Sequence, residues 1–456
     1  MTAEVAILNR GAVALATDSA VTIGQKTYTT ENKLFELSRT KPIGLMIYNS
    51  LDFYNYPWEV LIKDFRTANG DKSHSYVSDW AQTFVDWLYN NRKPTVKLQD
   101  EYFRKVVEEI LREAYHKYLE QIAPLRTKNS RSNSKSIKPI LGNVLRDLSE
   151  EFAGLRSASR LEKLSGLKAV HAPLLDETTL RAYIDTHGKV ISDLAKEQFL
   201  GPLDEEEQAL VRNLIFDVLA RHRPTSFSTG LVFAGFGEKN EFPALHHLTI
   251  DGLFSDQLRC FETQYYSVGQ SGAEQGTVLS FAQPNVTRHF LYGVDEALDK
   301  RIAAHFAEEI KDLKTEIGLK LNLGSKRLKV LREALEQGAD TILQRYNAKA
   351  GADLKKEAFA DTEEMVALMP KQEMADLAEA LVNITIIKGK ASSDQETVGG
   401  PVDVAIISRH EGFVWIKRKH YFDPKYNARY FWRQFGQWPP VGAKAQNAPR
   451  AKDDPL

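Results

Sequence analysis

Apolar positions along this chain follow two rhythms, and the switches between them divide it into blocks. Short β-type runs fill three separated regions. In the first, Glu4-Val5-Ala6-Ile7-Leu8 reads as a strand, Asn9-Arg10-Gly11 as a tight turn, and Ala12 to Ala16 as the returning strand. Asn9 and Gly11 suit that turn because both tolerate positive φ at little steric cost. Extended runs follow at Thr27 to Leu37 and at Ile43 to Asn49. The second region, Thr229 to Ser280, contains GLVFAGFG and ALHHLTIDG, and the third is VDVAIISRHEGFVWIKR at 402–418, with a hairpin turn at HEG. Hairpin-type pairs of this kind predict antiparallel sheets.

Helical spacing fills the intervals. Trp58 to Phe65 and Val77 to Tyr89 predict a helix pair, and QEMADLAEALVNITI predicts a helix leading into the last strands. Over 100–122, Phe103, Val107, Ile110, Ala114, Tyr118 and Ile122 share one face, the pattern of an amphipathic helix. Asp204, Glu205, Glu206 and Glu207 place carboxylates at a helix start, where the dipole favours them. Another helical block covers 293–370. RTKNSRSNSKSIK at 126–138 reads as a polar, mobile loop, and the tail after Lys444 as disordered. The fold class expected from these blocks is α+β, with stacked antiparallel sheets covered by helices. The sheet core is discontinuous (1–93, 225–292 and 371–420), with helical insertions at 94–224 and 293–370 and an aromatic, basic extension at 421–456.

Composition narrows the function. The 456 residues are 43% hydrophobic and 27% charged, which predicts an ordered globular chain. A net charge of −1 supplies no global attraction to nucleic acid or to an anionic membrane. The single cysteine, Cys260, can form neither an intramolecular disulfide nor a zinc cluster of its own. No apolar run approaches the ~20 residues of a spanning helix, and the start lacks the basic-then-apolar pattern of a signal peptide. A cytoplasmic protein is therefore expected. No cofactor motif is present, and His246 and His247, as consecutive strand residues, should face opposite ways and not share a metal. The Tyr421 to Trp438 stretch has the aromatic and arginine content that stacks on single strands, but packing is the favoured reading and nucleic-acid binding is not expected.

The candidate chemistry lies at the start. Thr2 becomes the first residue if Met1 is removed, which a small second side chain permits. A threonine hydroxyl needs a base, and a free α-amine with a reference pKa of about 8 is one, carried on the same residue. A nearby lysine disfavours protonation of that amine and stabilises developing charge on the hydroxyl. Lys33 in ENKLFEL can be that lysine, with Asp18 in LATDS to hold it.

MTAEVAILNRGAVALATDSAVTIG, NKLFEL and PIGLMIYNSLDF resemble the N-terminal region of proteasome β-subunits and the HslV-type peptidases. Thr2 and Asp18 keep that family's spacing, and Lys33 falls one residue early. FAGFGEKNEFPALHHLTIDG is similar to the family's later strand pair, YYSVGQSGAEQG to its Ser-Gly segment, with Ser271 the matching serine, and residues 374–414 to its last helix, Gly-Gly turn and terminal strands. The match covers about half the chain. It implies a four-layer αββα N-terminal-nucleophile (Ntn) hydrolase sandwich and a threonine peptidase acting on peptides or unfolded proteins. It also implies a homo-oligomeric ring or spiral, with an ATP-dependent unfoldase as a further partner. The family's oxyanion-hole glycine aligns with Asn49, whose backbone N–H can still serve. Its Asp-x-x-Ser-Gly-Gly segment reads Gln395 to Gly400, where Asp394 or Thr397 stands in after a one-residue shift. A catalytically silent assembly protein and an amidase for a small amide are alternatives compatible with the same resemblance.

Overall fold

The structure is a computed structural model that describes residues 2–23, 26–128, 134–155, 171–269, 275–282, scattered positions within 283–350, then 351–391 and 398–435. Residues 1–417 form one compact unit and residues 418–456 a second.

The opening run folds as the hairpin its turn predicts. Strands β1 (Glu4–Asn9) and β2 (Val13–Thr17) pair antiparallel. The Asn9 carboxamide accepts hydrogen bonds from the N–H groups of Gly11 (2.9 Å) and Ala12 (3.2 Å), which closes the turn. The predicted extended run at 27–37 is divided. After β3 (Val21–Ile23), strand β4 (Lys26–Tyr28) closes a small two-stranded ribbon, and β5 (Leu34–Glu36) joins β6 (Ile43–Asn49). A short ribbon of β7 (Asp52–Phe53) and β8 (Tyr56–Pro57) leads to helices α1 (Trp58–Asn69) and α2 (Val77–Arg92).

A block of helices follows: α3 (Val96–Lys128), α4 (Ser134–Ala153), α5 (Glu177–Thr186), α6 (Gly188–Gln198) and α7 (Glu205–Ala220). The loop expected at 126–138 is corrected here. Helix α3 runs to Lys128 and α4 starts at Ser134, leaving only 129–133 outside the described residues. The segment has neither Gly nor Pro, so polarity alone does not break the helical backbone. Phe103, Val107, Ile110 and Ala114 of α3 are buried in a core with Leu145, Ile184, Ile191 and Leu214 of the same block, which Phe254 of the sheet strands also joins. The Asp204 carboxylate caps α7 by accepting from Glu207 N–H (2.9 Å), and the Glu207 carboxylate accepts in return from Asp204 N–H (2.9 Å).

The remaining strands complete two sheets: β9 (Thr229–Gly235), β10 (Ala244–Phe254), β11 (Gln257–Ser267) and β12 (Gly276–Phe281). After helices α8 (Gly351–Leu368) and α9 (Lys371–Ala391) come β13 (Asp403–Ser408) and β14 (Gly412–Lys417). One five-stranded sheet has the order β12-β1-β2-β13-β14 and the other β11-β10-β9-β6-β5. Among the described residues, every strand-to-strand pairing within these two sheets is antiparallel. Between the sheets, Ala6, Leu8, Val13 and Leu15 meet Leu34, Met46, Val232 and Leu245. On the far side of the first sheet, Val5, Ile7, Ala14 and Ala16 pack with Met374, Ala378 and Leu381 of α9. On the far side of the second, Leu45, Ile47, Leu231 and Phe233 pack with Trp58, Phe65, Trp80 and Phe84 of α1 and α2. Both faces of these strands are thus covered, which explains why β1 and β2 read as near-continuous apolar runs. The sheets approach so closely that a Cβ on Gly44 would lie 2.8 Å from Ile407 Cδ1.

Most of the predicted 293–370 helical block lies outside the described residues until α8, as does the tail after Lys444. In the second unit, α10 (Ala428–Phe435) follows a short 3-10 turn (Pro424–Tyr426). Phe422 packs on Tyr430 (ring centroids 4.9 Å apart) and on Phe431, so part of the aromatic run packs on itself. Among the described residues, no helix is long and apolar enough to cross a membrane.

Candidate active site

Three chain segments meet where β1 begins and β2 ends. The Asp18 N–H donates to Ala3 O (3.0 Å), extending the hairpin ladder past its last strand residues. The Asp18 carboxylate then takes four donors. Oδ1 accepts from Ala3 N–H (3.1 Å) and Lys33 Nζ (2.8 Å), and Oδ2 from Ala20 N–H (3.2 Å) and Gly399 N–H (3.0 Å). Lys33 precedes β5, held there by Ile47 N–H donating to Lys33 O (2.9 Å). Its ammonium donates to Asp18 Oδ1, to Thr2 Oγ1 (3.0 Å) and to Ala20 O.

Thr2, Asp18 and Lys33 are therefore brought together, and all three are buried, Lys33 completely. A buried ion pair is tolerable only when the remaining donors and acceptors are satisfied. Here the ammonium's three protons and both carboxylate oxygens have partners. Lys33 is left as a fixed cation against the Thr2 hydroxyl. A cation in that position can stabilise negative charge on the hydroxyl oxygen and disfavours a second positive charge nearby.

Of the other expected site residues only Asn49 is among the described residues. Asn49 ends β6 in the left-handed region (φ 72°), and its carboxamide Nδ2 donates to Ser228 O (2.8 Å). Tyr48 turns its hydroxyl to His247 Nε2 (2.7 Å). Ser271, Asp394 and Thr397 lie outside the described residues. Near the last two, it is the backbone that reaches the site. Gly399 N–H holds Asp18, Gly399 O accepts from Ser19 N–H (3.0 Å), and Pro401 O accepts from Ser19 Oγ (2.5 Å). Sequence reasoning missed these contacts because a backbone donor carries no residue signature.

His246 and His247 face opposite sides of β10. The His246 ring packs on Tyr265 and the His247 ring on Phe281. Burial lowers His246 to about 4 and His247 to about 3, so both are neutral imidazoles at neutral pH. A Glu262 oxygen lies 3.9 Å from His246 Nδ1, too far for a hydrogen bond, and desolvation prevails. Among the described residues no cluster of three His, Cys, Asp or Glu side chains could hold a metal. Cys260 is buried, which pushes its thiol up to about 12 and keeps it protonated.

One further residue belongs to this neighbourhood and was passed over in the sequence. Glu4 is buried, two positions after Thr2 and close enough to feel the charges of both Lys33 and Asp18. Its signal was an acidic residue opening an otherwise apolar strand. No protein-family model matches the chain, and no curated protein matches it.

Proposed function

We propose that this chain is an N-terminal-nucleophile hydrolase of the proteasome β type, a threonine peptidase with Thr2 as its nucleophile. The observation that carries this reading is the Lys33 ammonium bound at once to Thr2 Oγ1 (3.0 Å) and to Asp18 Oδ1 (2.8 Å). The order of packing, from helices α1 and α2 through two antiparallel sheets to helix α9, supports a four-layer αββα Ntn sandwich around that site.

In the proposed reaction, removal of Met1 leaves a free amine on Thr2. The amine takes the proton from Oγ1 as Oγ1 attacks a peptide carbonyl carbon. Lys33 stabilises the forming alkoxide and keeps the amine from holding its proton too tightly, while Asp18 fixes Lys33. The backbone N–H of Asn49 receives the oxyanion. Ile47 N–H already donates to Lys33 O, and the alternation of the strand turns the Asn49 N–H toward that same edge. Collapse breaks the C–N bond, the Thr2 ammonium returns the proton to the leaving amine, and water, deprotonated by the same amine, hydrolyses the ester. Substrates are peptides or unfolded proteins. A cytoplasmic homo-oligomeric ring or spiral, served by an ATP-dependent unfoldase, completes the proposal.

Intact mass and a threonine-directed β-lactone test it. The expected result is a chain lacking Met1, acylated on Thr2, with no label on Thr2→Ala and cleavage of a peptide library by the wild type. Retained Met1, or a wild type that neither labels nor cleaves, would overturn the reading and favour a silent assembly protein. Cleavage of small amides alone would make it an amidase.

A further inference from the structure

An acidic side chain inside an apolar interlayer demands a reason. Glu4 lies on β1 with Thr17 of β2 and Phe281 of β12 directly opposite. It is 1% exposed, and neither of its carboxyl oxygens meets a hydrogen-bond donor among the described residues. The Thr17 hydroxyl lacks such a partner too.

The titratable groups facing Glu4 come from five segments. Asp18 follows β2, and Lys33 precedes β5. Asp403 of β13 is in the same cross-sheet row, opposite Thr17. Tyr48 of β6 feels the charge of Glu4, and His247 of β10 is bonded to Tyr48. Strand β12 contributes Phe281 and no charge. Tyr48, its phenol pushed up by burial and by Glu4, and His247 are both neutral at neutral pH. The cation among these groups is Lys33.

An ammonium has three protons, and among the described residues Asp18 Oδ1, Ala20 O and Thr2 Oγ1 accept from Lys33. The Thr2 hydroxyl is the weakest acceptor of the three, because Asp18 is an anion and Ala20 offers a carbonyl. A second carboxylate nearby would compete first for the proton now on Thr2. We infer that Glu4 is a positioning residue for Thr2: as the neutral acid it leaves Lys33 on the Thr2 hydroxyl, and on ionising it draws the ammonium away. Burial accords with this by lifting the Glu4 carboxyl well above its ordinary range. Lys33 opposes that rise and Asp18 adds to it.

Glu4→Gln, the isostere of the neutral acid, tests the idea, with Glu4→Leu as a second variant of similar size. Two measurements need no enzymatic reaction. Infrared spectra at neutral pH should contain a protonated-carboxyl band in the wild type that Glu4→Gln lacks. Nitrogen NMR of the lysine ammonium groups should show Lys33 shifting as that band disappears with rising pH, and staying put in both variants. The third arm rests on the hydrolase reading. The ratio of activity at about pH 9 to that at neutral pH should rise several-fold in Glu4→Gln relative to wild type. An ionised Glu4 at neutral pH, or a Lys33 resonance that moves identically in all three proteins, overturns the inference whether or not the protein proves to be a hydrolase. Equal activity ratios in wild type and Glu4→Gln overturn it as well. A wild type that is inactive while both spectroscopic results hold would instead remove the hydrolase reading and leave the inferred coupling of Glu4 to Lys33 standing.

Discussion

At the scale of single residues, Lys33 has the largest leverage. Replacing it with alanine leaves the Asp18 carboxylate buried without its cation and the Thr2 hydroxyl without its donor. Lys33→Ala should lose about 3–5 kcal/mol in urea unfolding and, on the proposed mechanism, more than about 10²-fold in peptidase rate. A variant of unchanged stability would contradict the buried pair. The histidines give a pH prediction of definite sign. His246 and His247 are held neutral in the fold, whereas in the unfolded chain they protonate near their ordinary pKa of about 6.5. Their contribution is complete above about pH 6.5 and falls as pH drops through about 4 and about 3, because the unfolded state binds the extra protons. His246→Leu, which removes no hydrogen bond seen among the described residues, should flatten the acid limb. Urea midpoints of wild type and variant should diverge as pH falls below about 6.5, and parallel curves would refute the assignment.

At the scale of elements, the join between helix α7 and the sheet depends on one buried cation. Arg259 of β11 donates to Leu219 O (2.7 Å), Val218 O (3.1 Å), Arg221 O (2.8 Å) and Arg223 O (2.8 Å), and pairs with Asp251 of β10. It satisfies carbonyls at the end of the helix that have no acceptor role within it. Asp251 in turn accepts from Tyr102 OH (2.7 Å), Thr225 N–H (3.1 Å) and Thr225 Oγ1 (2.5 Å). Arg259→Leu should cost about 3–5 kcal/mol by stranding Asp251 and the carbonyls. Adding Asp251→Leu should cost less than the two single losses summed, measured as a double-mutant cycle. Asp204→Ala at the other end of α7 should cost about 1 kcal/mol, the worth of one cap. Helix periodicity and caps were legible in the sequence. The Arg259 pin was not, since a charged residue in a strand looks the same whether it faces water or a helix end.

At the scale of the whole molecule, the site is closed by chain far from its start. Asp18 and Gly399 are 381 positions apart, yet the N–H of one holds the carboxylate of the other. Gly400 makes that return possible. Its φ is +76°, and a Cβ there would come within 2.6 Å of Thr29 O. Gly400→Ala should therefore destabilise by about 1–2 kcal/mol and, on the proposed mechanism, lower peptidase activity further than stability alone explains, because Gly399 N–H would leave Asp18. Equal activity in a folded Gly400→Ala protein would show that this contact is dispensable.

Sequence alone determined the local structure. The Asn9–Gly11 turn, the paired strands, the amphipathic face of α3 and the capped start of α7 follow from torsional preference and spacing, which act between near neighbours. It also named Thr2, Asp18 and Lys33 as a chemical set, because a hydroxyl, a cation and its counter-ion are recognisable by type. Tertiary structure alone decided that Lys33 reaches the Thr2 hydroxyl, that backbone from 399 completes the Asp18 shell, and that Glu4 is buried beside them. Those facts depend on desolvation and on hydrogen bonds between distant segments, and neither exists until two sheets have closed over the same few side chains.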